Sequence, residues 1–142
     1  MSLGLAAHPW LIKPNREEAE EILGKRLRRR ASLIKAMRML TAQGSAIAIL
    51  SLGSEGALMA AAGDSGVWWA QPPMVKTDSA VGAGDSLVGG FLVGWSRGKT
   101  LPEAFRLGVA CGTATAMTPG TELCHRRDVQ RLLPRVRLRR LV

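Results

Sequence analysis

The sequence predicts an α/β protein built on a central sheet, and three observations lead there. Ala46-Ile47-Ala48-Ile49-Leu50 is a continuous apolar run bounded by turn residues, the pattern of a strand buried on both faces. Just before it, Leu33, Ile34, Met37 and Leu40 fall on one face of a helical segment over 31–42. Strand-like and helical segments then alternate along the chain, as a sheet covered by helices requires.

Each element has a local reason. Trp10-Leu11-Ile12-Lys13 reads as a short apolar strand stopped by Pro14, which has no N–H to donate. Asn15 suits the cap of a helix beginning at Arg16. Glu17, Glu18, Glu20 and Glu21 place acidic charge in its first turns, and Gly24 ends it. The helix over 31–42 stops at Gly44. After the strand, Ser51 to Gly56 is a glycine-containing turn. The segments 57–62 and 67–70 read as strands joined by a Gly63-Asp64-Ser65-Gly66 hairpin. Pro72-Pro73 opens an extended connection to Gly82-Ala83-Gly84-Asp85. A helix over 86–97 follows, with Leu87, Phe91 and Trp95 on one face and Gly98 closing it. The next begins at Leu101-Pro102-Glu103, where proline is tolerated in a first turn, and runs to Met117. Pro119-Gly120 breaks it, and a last helix begins near Arg126 or Asp128 and ends around Pro134.

With 142 residues, 46% apolar and 22% charged, the chain has the length and composition of one soluble globular domain. No apolar run reaches the roughly 18–20 residues that span a bilayer. The segment Met1 to Pro9 has no basic start and no long apolar stretch, so it does not read as a secretion signal. The two cysteines, Cys111 and Cys124, lack CxxC spacing; they make neither a zinc site nor a disulfide framework, and reduced thiols and a cytoplasmic location are expected. A net charge of +9 concentrates in runs at 25–30 and 135–140. Leucines sit inside both runs and no aromatic residue interleaves with them, so neither a nucleic-acid partner nor a membrane is expected. An anionic small substrate suits the balance.

Chemistry centres on Lys76-Thr77-Asp78-Ser79-Ala80-Val81-Gly82-Ala83-Gly84-Asp85-Ser86. Glycines ahead of a helix let backbone N–H groups converge on one point, and the helix dipole favours negative charge there. Asp85 stands at the same helix start. A carboxylate beside an anion hole suits phosphoryl transfer to a hydroxyl: the base takes the proton while the N–H groups hold the developing charge. On these residues alone the stretch reads equally as a capped helix entrance. A G-x-G-x-x-G dinucleotide motif from Gly82 would need glycine where Leu87 stands, and no Gly-Lys-Ser/Thr of a P-loop is present.

The run from Asp78 to Phe91 resembles the second signature of the ribokinase-like sugar kinases, in the phosphofructokinase-B branch. Lys13-Pro14-Asn15-Arg16-Glu17-Glu18 is similar to that family's Lys-Pro-Asn strand end and N-x-x-E motif. Ser51-Leu52-Gly53-Ser54-Glu55-Gly56-Ala57 is similar to its nucleotide loop. Gly108 to Thr115, through Pro119-Gly120-Thr121, resembles its adenine-side helix and the turn after it. The resemblance covers nearly the whole chain. It implies the C-terminal part of a three-layer α/β/α sandwich with a central, mostly parallel sheet, residues 1–142 forming a single partial domain: the nucleotide-binding, catalytic half.

The resemblance also implies roles. Asp85 would be the catalytic base, with Gly82, Ala83 and Gly84 as the anion hole. Asn15 and Glu18 would hold Mg²⁺ through its water shell, since this ion keeps several waters; read plainly, they are an N-cap and a dipole-complementing acid. Lys13 would approach the phosphates of ATP, or be a strand-end surface lysine. Ser51, Gly53 and Gly56 would line the phosphate and ribose side, or simply turn the chain. Thr113 would border the adenine, or serve helix packing. Several members hold a monovalent cation, and Ser79, Val81, Thr115, Thr118 and Gly120 occupy the comparable positions, with K⁺ the candidate ion.

Two residues depart from the pattern: Ala80 stands where the family usually has threonine, and Glu122 where the nearest members carry a basic residue. His125 beside Cys124 reads as a surface turn, two residues being too few for a metal. The family's sugar site and lid come largely from an N-terminal half that has no counterpart here. The expectation is therefore a C-terminal fragment or incomplete product, weak or inactive alone, leaving room for a homodimer or a separately supplied half. The similarity of Thr118-Pro119-Gly120-Thr121-Glu122-Leu123-Cys124 to the 6-phosphofructokinase subgroup makes fructose 6-phosphate the expected acceptor, with fructose 1-phosphate and tagatose 6-phosphate as alternatives. A non-catalytic nucleotide-binding or interaction module is the reading from another class.

Overall fold

Caps and breakers set the helix boundaries. The first helix, α1, is Ser2–Ala6, an element that no sequence signal above predicts. In α2 (Arg16–Leu23), Asn15 Oδ1 accepts from the Glu18 N–H and Glu18 returns the bond to the Asn15 N–H, both at 2.9 Å; Gly24 closes the helix with φ +63°. Helix α3 (Arg30–Ala42) follows. The computed structural model describes residues 2–142, which fall into two compact units. Met1, part of the segment read for a secretion signal, lies outside the described residues.

The first unit comprises residues 2–53, Ala57–Trp69 and Arg139–Val142. Its strands are β1 (Leu11–Ile12), β2 (Ile47–Ser51), β3 (Ala57–Ala61), the start of β4 (Val67–Gln71) and the end of β5 (Arg137–Arg140). The strand order is β1-β2-β3-β4-β5. β1 runs parallel to β2, with Leu11 opposite Ile47, and an isolated parallel bridge between Asn15 and Ser51 prolongs the pairing. β3 is antiparallel to β2, with Ala48 opposite Ala60 and Leu50 opposite Leu58.

Period two in the strands and period 3.6 in the helix build the core of this unit. Ala48, Leu50, Leu58 and Ala60 share one face of the sheet and join Ala36, Met37 and Leu40 of α3 in one buried cluster. Each large side chain so buried is worth about 1.5–3 kcal/mol. Ile47, Ile49 and Met59 alternate with them and are also buried, as the unbroken apolar run predicts for β2.

The second unit comprises Ser54–Gly56 and Ala70–Leu138. It holds α4 (Ala83–Ser96), α5 (Leu101–Ala116) and α6 (Arg126–Leu132). Thr100 and Glu103 form a reciprocal capping box at the start of α5, with Pro102 in its first turn. α4 and α5 pack antiparallel through small residues. A Cβ on Gly94 would lie 2.9 Å from Ala104 Cα, one on Gly90 2.6 Å from Cys111 Sγ, one on Gly108 2.6 Å from the Leu87 carbonyl, and one on Gly112 2.8 Å from the Ala83 carbonyl. Those glycines permit the close approach; Phe91 and Phe105 fill the rest, both 0% exposed. Val129 and Leu132 bury one side of α6.

Three expectations change. α4 starts at Ala83 rather than Ser86, because Gly82 takes φ +78° and serves as N-cap. Trp95 leaves the Leu87–Phe91 face and is 44% exposed: eight residues advance a helix by two turns plus about 80°, and Gly90 and Gly94 hold the contact instead. The run at 135–140, read as flanking a helix, contributes β5. There Arg140 pairs with Asp64 at 3.2 Å and lies 5.9 Å from the Trp68 ring centroid, while the Leu141 N–H bonds the Val67 carbonyl. Among the described residues no helix is long and apolar enough to cross a membrane.

Candidate active site

In the first unit the functional candidates gather at the carboxyl ends of the parallel pair β1–β2, where α/β sheets present ligand-binding groups. The Ser51 N–H bonds the Pro14 carbonyl at 3.0 Å, and Lys13 Nζ approaches Ser51 Oγ at 3.4 Å. Asn15 follows at once and opens α2. The structure therefore brings Lys13, Asn15, Glu18 and Ser51 together. Gly53 has φ +60° and starts a 3₁₀ turn over Gly53–Glu55.

Whether this group fits a magnesium ion turns on its donors. The capping box occupies one oxygen of Asn15 and one of Glu18, which leaves the second Glu18 carboxylate oxygen for a water of the ion's shell. Among the described residues no cluster of three His, Cys, Asp or Glu exists that could wrap a metal directly. The site fits a hydrated hard cation and not an all-protein cage.

In the second unit, Gly82 has no side chain with which to cap α4. The Ala83 N–H turns back to the Ala80 carbonyl at 3.3 Å, and the Ser86 N–H begins the helical ladder by bonding Gly82 at 2.9 Å. Between them, the N–H groups of Gly84 and Asp85 have no acceptor among the described residues. Two free donors at the positive end of a 14-residue helix are the groups that a bound anion would need. The Asp85 side chain is exposed in the same turn and has no hydrogen-bonding or ionic partner among the described residues.

What holds this turn in place comes from α5 and its end. Thr115 Oγ1 donates to Ser86 Oγ at 2.7 Å, and the Asp78 N–H bonds the Ala116 carbonyl at 2.8 Å. Thr118 Oγ1 lies 2.7 Å from the Thr115 carbonyl and 2.6 Å from the Glu122 carbonyl. Ser79 Oγ accepts from the Val81 N–H at 3.3 Å. Gly120 turns the chain with φ +60°. Thr113 Oγ1 donates to the Val109 carbonyl of its own helix at 2.8 Å. Gly56 has φ +94°, and a Cβ there would run into the Ala70 carbonyl oxygen, so close backbone approach explains this glycine without a ligand.

Sequence reasoning missed Ser86 as the partner of Thr115, and the glycine stripe at Gly90, Gly94, Gly108 and Gly112. Two G-x-x-x-G spacings were the available signal.

Comparison with known proteins follows the same lines. The family model for pfkB family carbohydrate kinases matches residues 2–127. The 1-phosphofructokinase of Escherichia coli (strain K12) is 39% identical over 135 residues, covering 95% of this chain and 43% of that protein. The ATP-dependent 6-phosphofructokinase isozyme 2 of Mycobacterium tuberculosis (strain ATCC 25618 / H37Rv) is 39% identical over 123 residues, 86% of this chain and 36% of that one. The crystal structure of phosphofructokinase-2 from Escherichia coli in complex with potassium superposes with a TM-score of 0.86 at 33% identity, over 94% of this chain and 43% of that one. This chain thus spans less than half the length of these proteins. The motifs, the fold and the family match agree: the chain belongs to the pfkB family of carbohydrate kinases.

Proposed function

We propose that residues 1–142 are the nucleotide-binding and catalytic half of a cytoplasmic, ATP-dependent sugar-phosphate kinase, with Asp85 as general base. The observation that carries this reading is the α4 entrance: free Gly84 and Asp85 N–H groups beside an unpartnered carboxylate. Asp85 accepts the proton of the acceptor hydroxyl as its oxygen attacks the terminal phosphoryl group of ATP. The N–H groups then stabilise charge on the transferring oxygens, a contribution commonly worth about 3–4 kcal/mol per donor. Lys13 supplies positive charge to the nucleotide phosphates, with Ser51 and Gly53 lining their approach and Thr113 beside the adenine. Asn15 and Glu18 would hold Mg²⁺ through water, and that ion screens the phosphate charge. Ser79, Val81, Thr115, Thr118 and Gly120 are the proposed surroundings of K⁺.

Fructose 6-phosphate is the acceptor favoured by Thr118 to Cys124. Fructose 1-phosphate is the alternative, because relatives named for each activity share the same identity with this chain. Sugar binding is proposed to need a further half, in the same or a partner chain.

Calorimetric titration with MgATP tests the reading. Saturable binding is expected, weakened by Asn15→Ala and largely kept by Asp85→Ala. With the sugar-binding half supplied, phosphoryl transfer to either sugar phosphate should fall about 10²–10⁴-fold in Asp85→Ala, the usual range for a general base. Absence of binding by a chain that circular dichroism shows to be folded would refute the nucleotide site and favour a non-catalytic module.

A further inference from the structure

A hydroxyl inside a helix usually gives its proton to a carbonyl about one turn back. Ser32, Thr41, Ser96 and Thr113 follow that habit, each bonded to a carbonyl of its own helix or cap. Ser86 and Thr115 do not. Thr115, only 1% exposed, reaches across from the last turn of α5 and donates to Ser86 Oγ at 2.7 Å. A Cβ on Gly82 would stand 3.8 Å from Cγ2 of the same threonine, so Thr115 borders the first turn of α4 from its cap to Ser86. Ser86 is half-buried, and while it receives the Thr115 proton its own has no acceptor among the described residues.

We propose that Ser86 is a third hydrogen-bond donor to the transferring phosphoryl group, with Thr115 as the positioning residue that orients it. This role rests on the nucleotide site proposed above. Helical side chains tilt toward the helix N-terminus and cover the turn before their own Cα, which for Ser86 is the turn at Gly82 and Ala83. Gly82 has no side chain to stand in the way there. The unused N–H groups of Gly84 and Asp85 open at the same end of α4. The bond from Thr115 occupies one lone pair of Ser86 Oγ and holds it in one rotamer, so the hydroxyl does not turn back onto its own helix. Donation runs one way, from Thr115 to Ser86 and from Ser86 to a phosphoryl oxygen, and neither residue gives up its proton. A hydroxyl that accepts a bond donates a stronger one, and a charged acceptor strengthens it again. Ser86 stands about 100° round the helix from Asp85. It can hold a phosphoryl oxygen without competing with the base for the acceptor hydroxyl.

The test is calorimetric titration of the full chain with MgATP and with MgADP, since only the first carries the phosphoryl group to be transferred. Ser86→Ala should weaken MgATP about tenfold, the worth of one bond to a charged acceptor, and leave MgADP within about twofold. Alanine is the better helix former, so this variant should fold. Thr115→Val keeps the Ser86 hydroxyl but frees it to turn away, and should weaken MgATP about threefold, a neutral bond's worth. Thr115→Ser restores the donor and should bind both nucleotides as wild type does. A pair with a structural role alone would lower the melting temperature and affect both nucleotides alike; that result in Ser86→Ala would overturn the proposal. So would a wild-type ratio of MgATP to MgADP affinity in Ser86→Ala while MgATP still binds, an outcome that leaves the nucleotide site standing. A folded wild-type chain that binds neither nucleotide would instead refute the nucleotide site, and the role of Ser86 with it.

Discussion

Gly112 sits where a single added carbon should separate two opposing effects. In an exposed helix interior, Gly→Ala stabilises by about 0.5–1 kcal/mol through backbone entropy. At Gly112 the new Cβ would stand 2.8 Å from the Ala83 carbonyl oxygen and 3.3 Å from Leu87 Cβ. The first neighbour is backbone and cannot swing aside, so α4 must move. Overpacking of this kind costs about 1–3 kcal/mol. The net expectation for Gly112→Ala is a loss of about 1–2 kcal/mol, or about 3–8 °C for a chain of this size. Gly89→Ala is the internal control: Gly89 lies on the exposed side of α4, and the added methyl would meet nothing within 4 Å. It should gain about 0.5–1 kcal/mol. Differential scanning calorimetry of the pair, with urea melts for free energies, reads both signs. A Gly112→Ala chain as stable as wild type would refute the close α4–α5 contact as the reason for the glycine. Because Ala83 opens the proposed anion site, Gly112→Ala should also weaken MgATP binding more than Gly89→Ala does.

Gly56→Ala should cost about 2–4 kcal/mol, since it adds a left-handed penalty at φ +94° to a collision with the Ala70 carbonyl; urea denaturation measures it. The acid limb of stability should depend on Glu20. Its carboxylate accepts from the Leu27 N–H and then from Arg26, each at 2.8 Å, and these bonds hold its pKa below the ordinary glutamate value. The folded value being lower than the unfolded one, this contribution is full above about pH 4.3 and is lost as pH falls through the lowered value. Melting temperature against pH should therefore drop less steeply below that point in Glu20→Gln than in wild type.

What was legible in the sequence was what neighbours along the chain decide. Asn15 and Glu18 are three residues apart, as are Thr100 and Glu103, and each pair closes its own helix start. Gly24 and Gly82 take the left-handed conformations that their places at helix ends require. The unbroken run before Ser51 became β2 because two buried faces leave no position for a polar residue. Pairing across the chain was not legible. The arginine-rich end became β5, an outer strand whose charge suits an edge and whose place depends on Val67 and Asp64, far earlier in the chain. Regular spacing put Trp95 on the wrong face because it ignores the glycines, which carry no hydrophobic signal yet decide which face of α4 can come close. The return of the chain after α5 depends on Thr118 Oγ1, which lies by the carbonyls of both Thr115 and Glu122, a contact that no spacing rule contains.

The same logic explains why the α4 entrance needs so much of the second unit. Three ties fix it from the end of α5: Ala83 over Gly112, Ser86 to Thr115, and Asp78 to Ala116. They fall at successive points before, at and after the helix start, so α4 can neither slide along nor rotate against α5 without breaking one. An anion site made of backbone N–H groups cannot be adjusted by rotamers. Its donors are only as well placed as the helix that carries them. Glycines at 108 and 112 set the depth of that helix and the threonine at 115 sets its rotation. Asp85 needs no partner of its own, because its backbone is already fixed. A carboxylate without a partner, on a turn held by these contacts, is what the proposed role of general base requires.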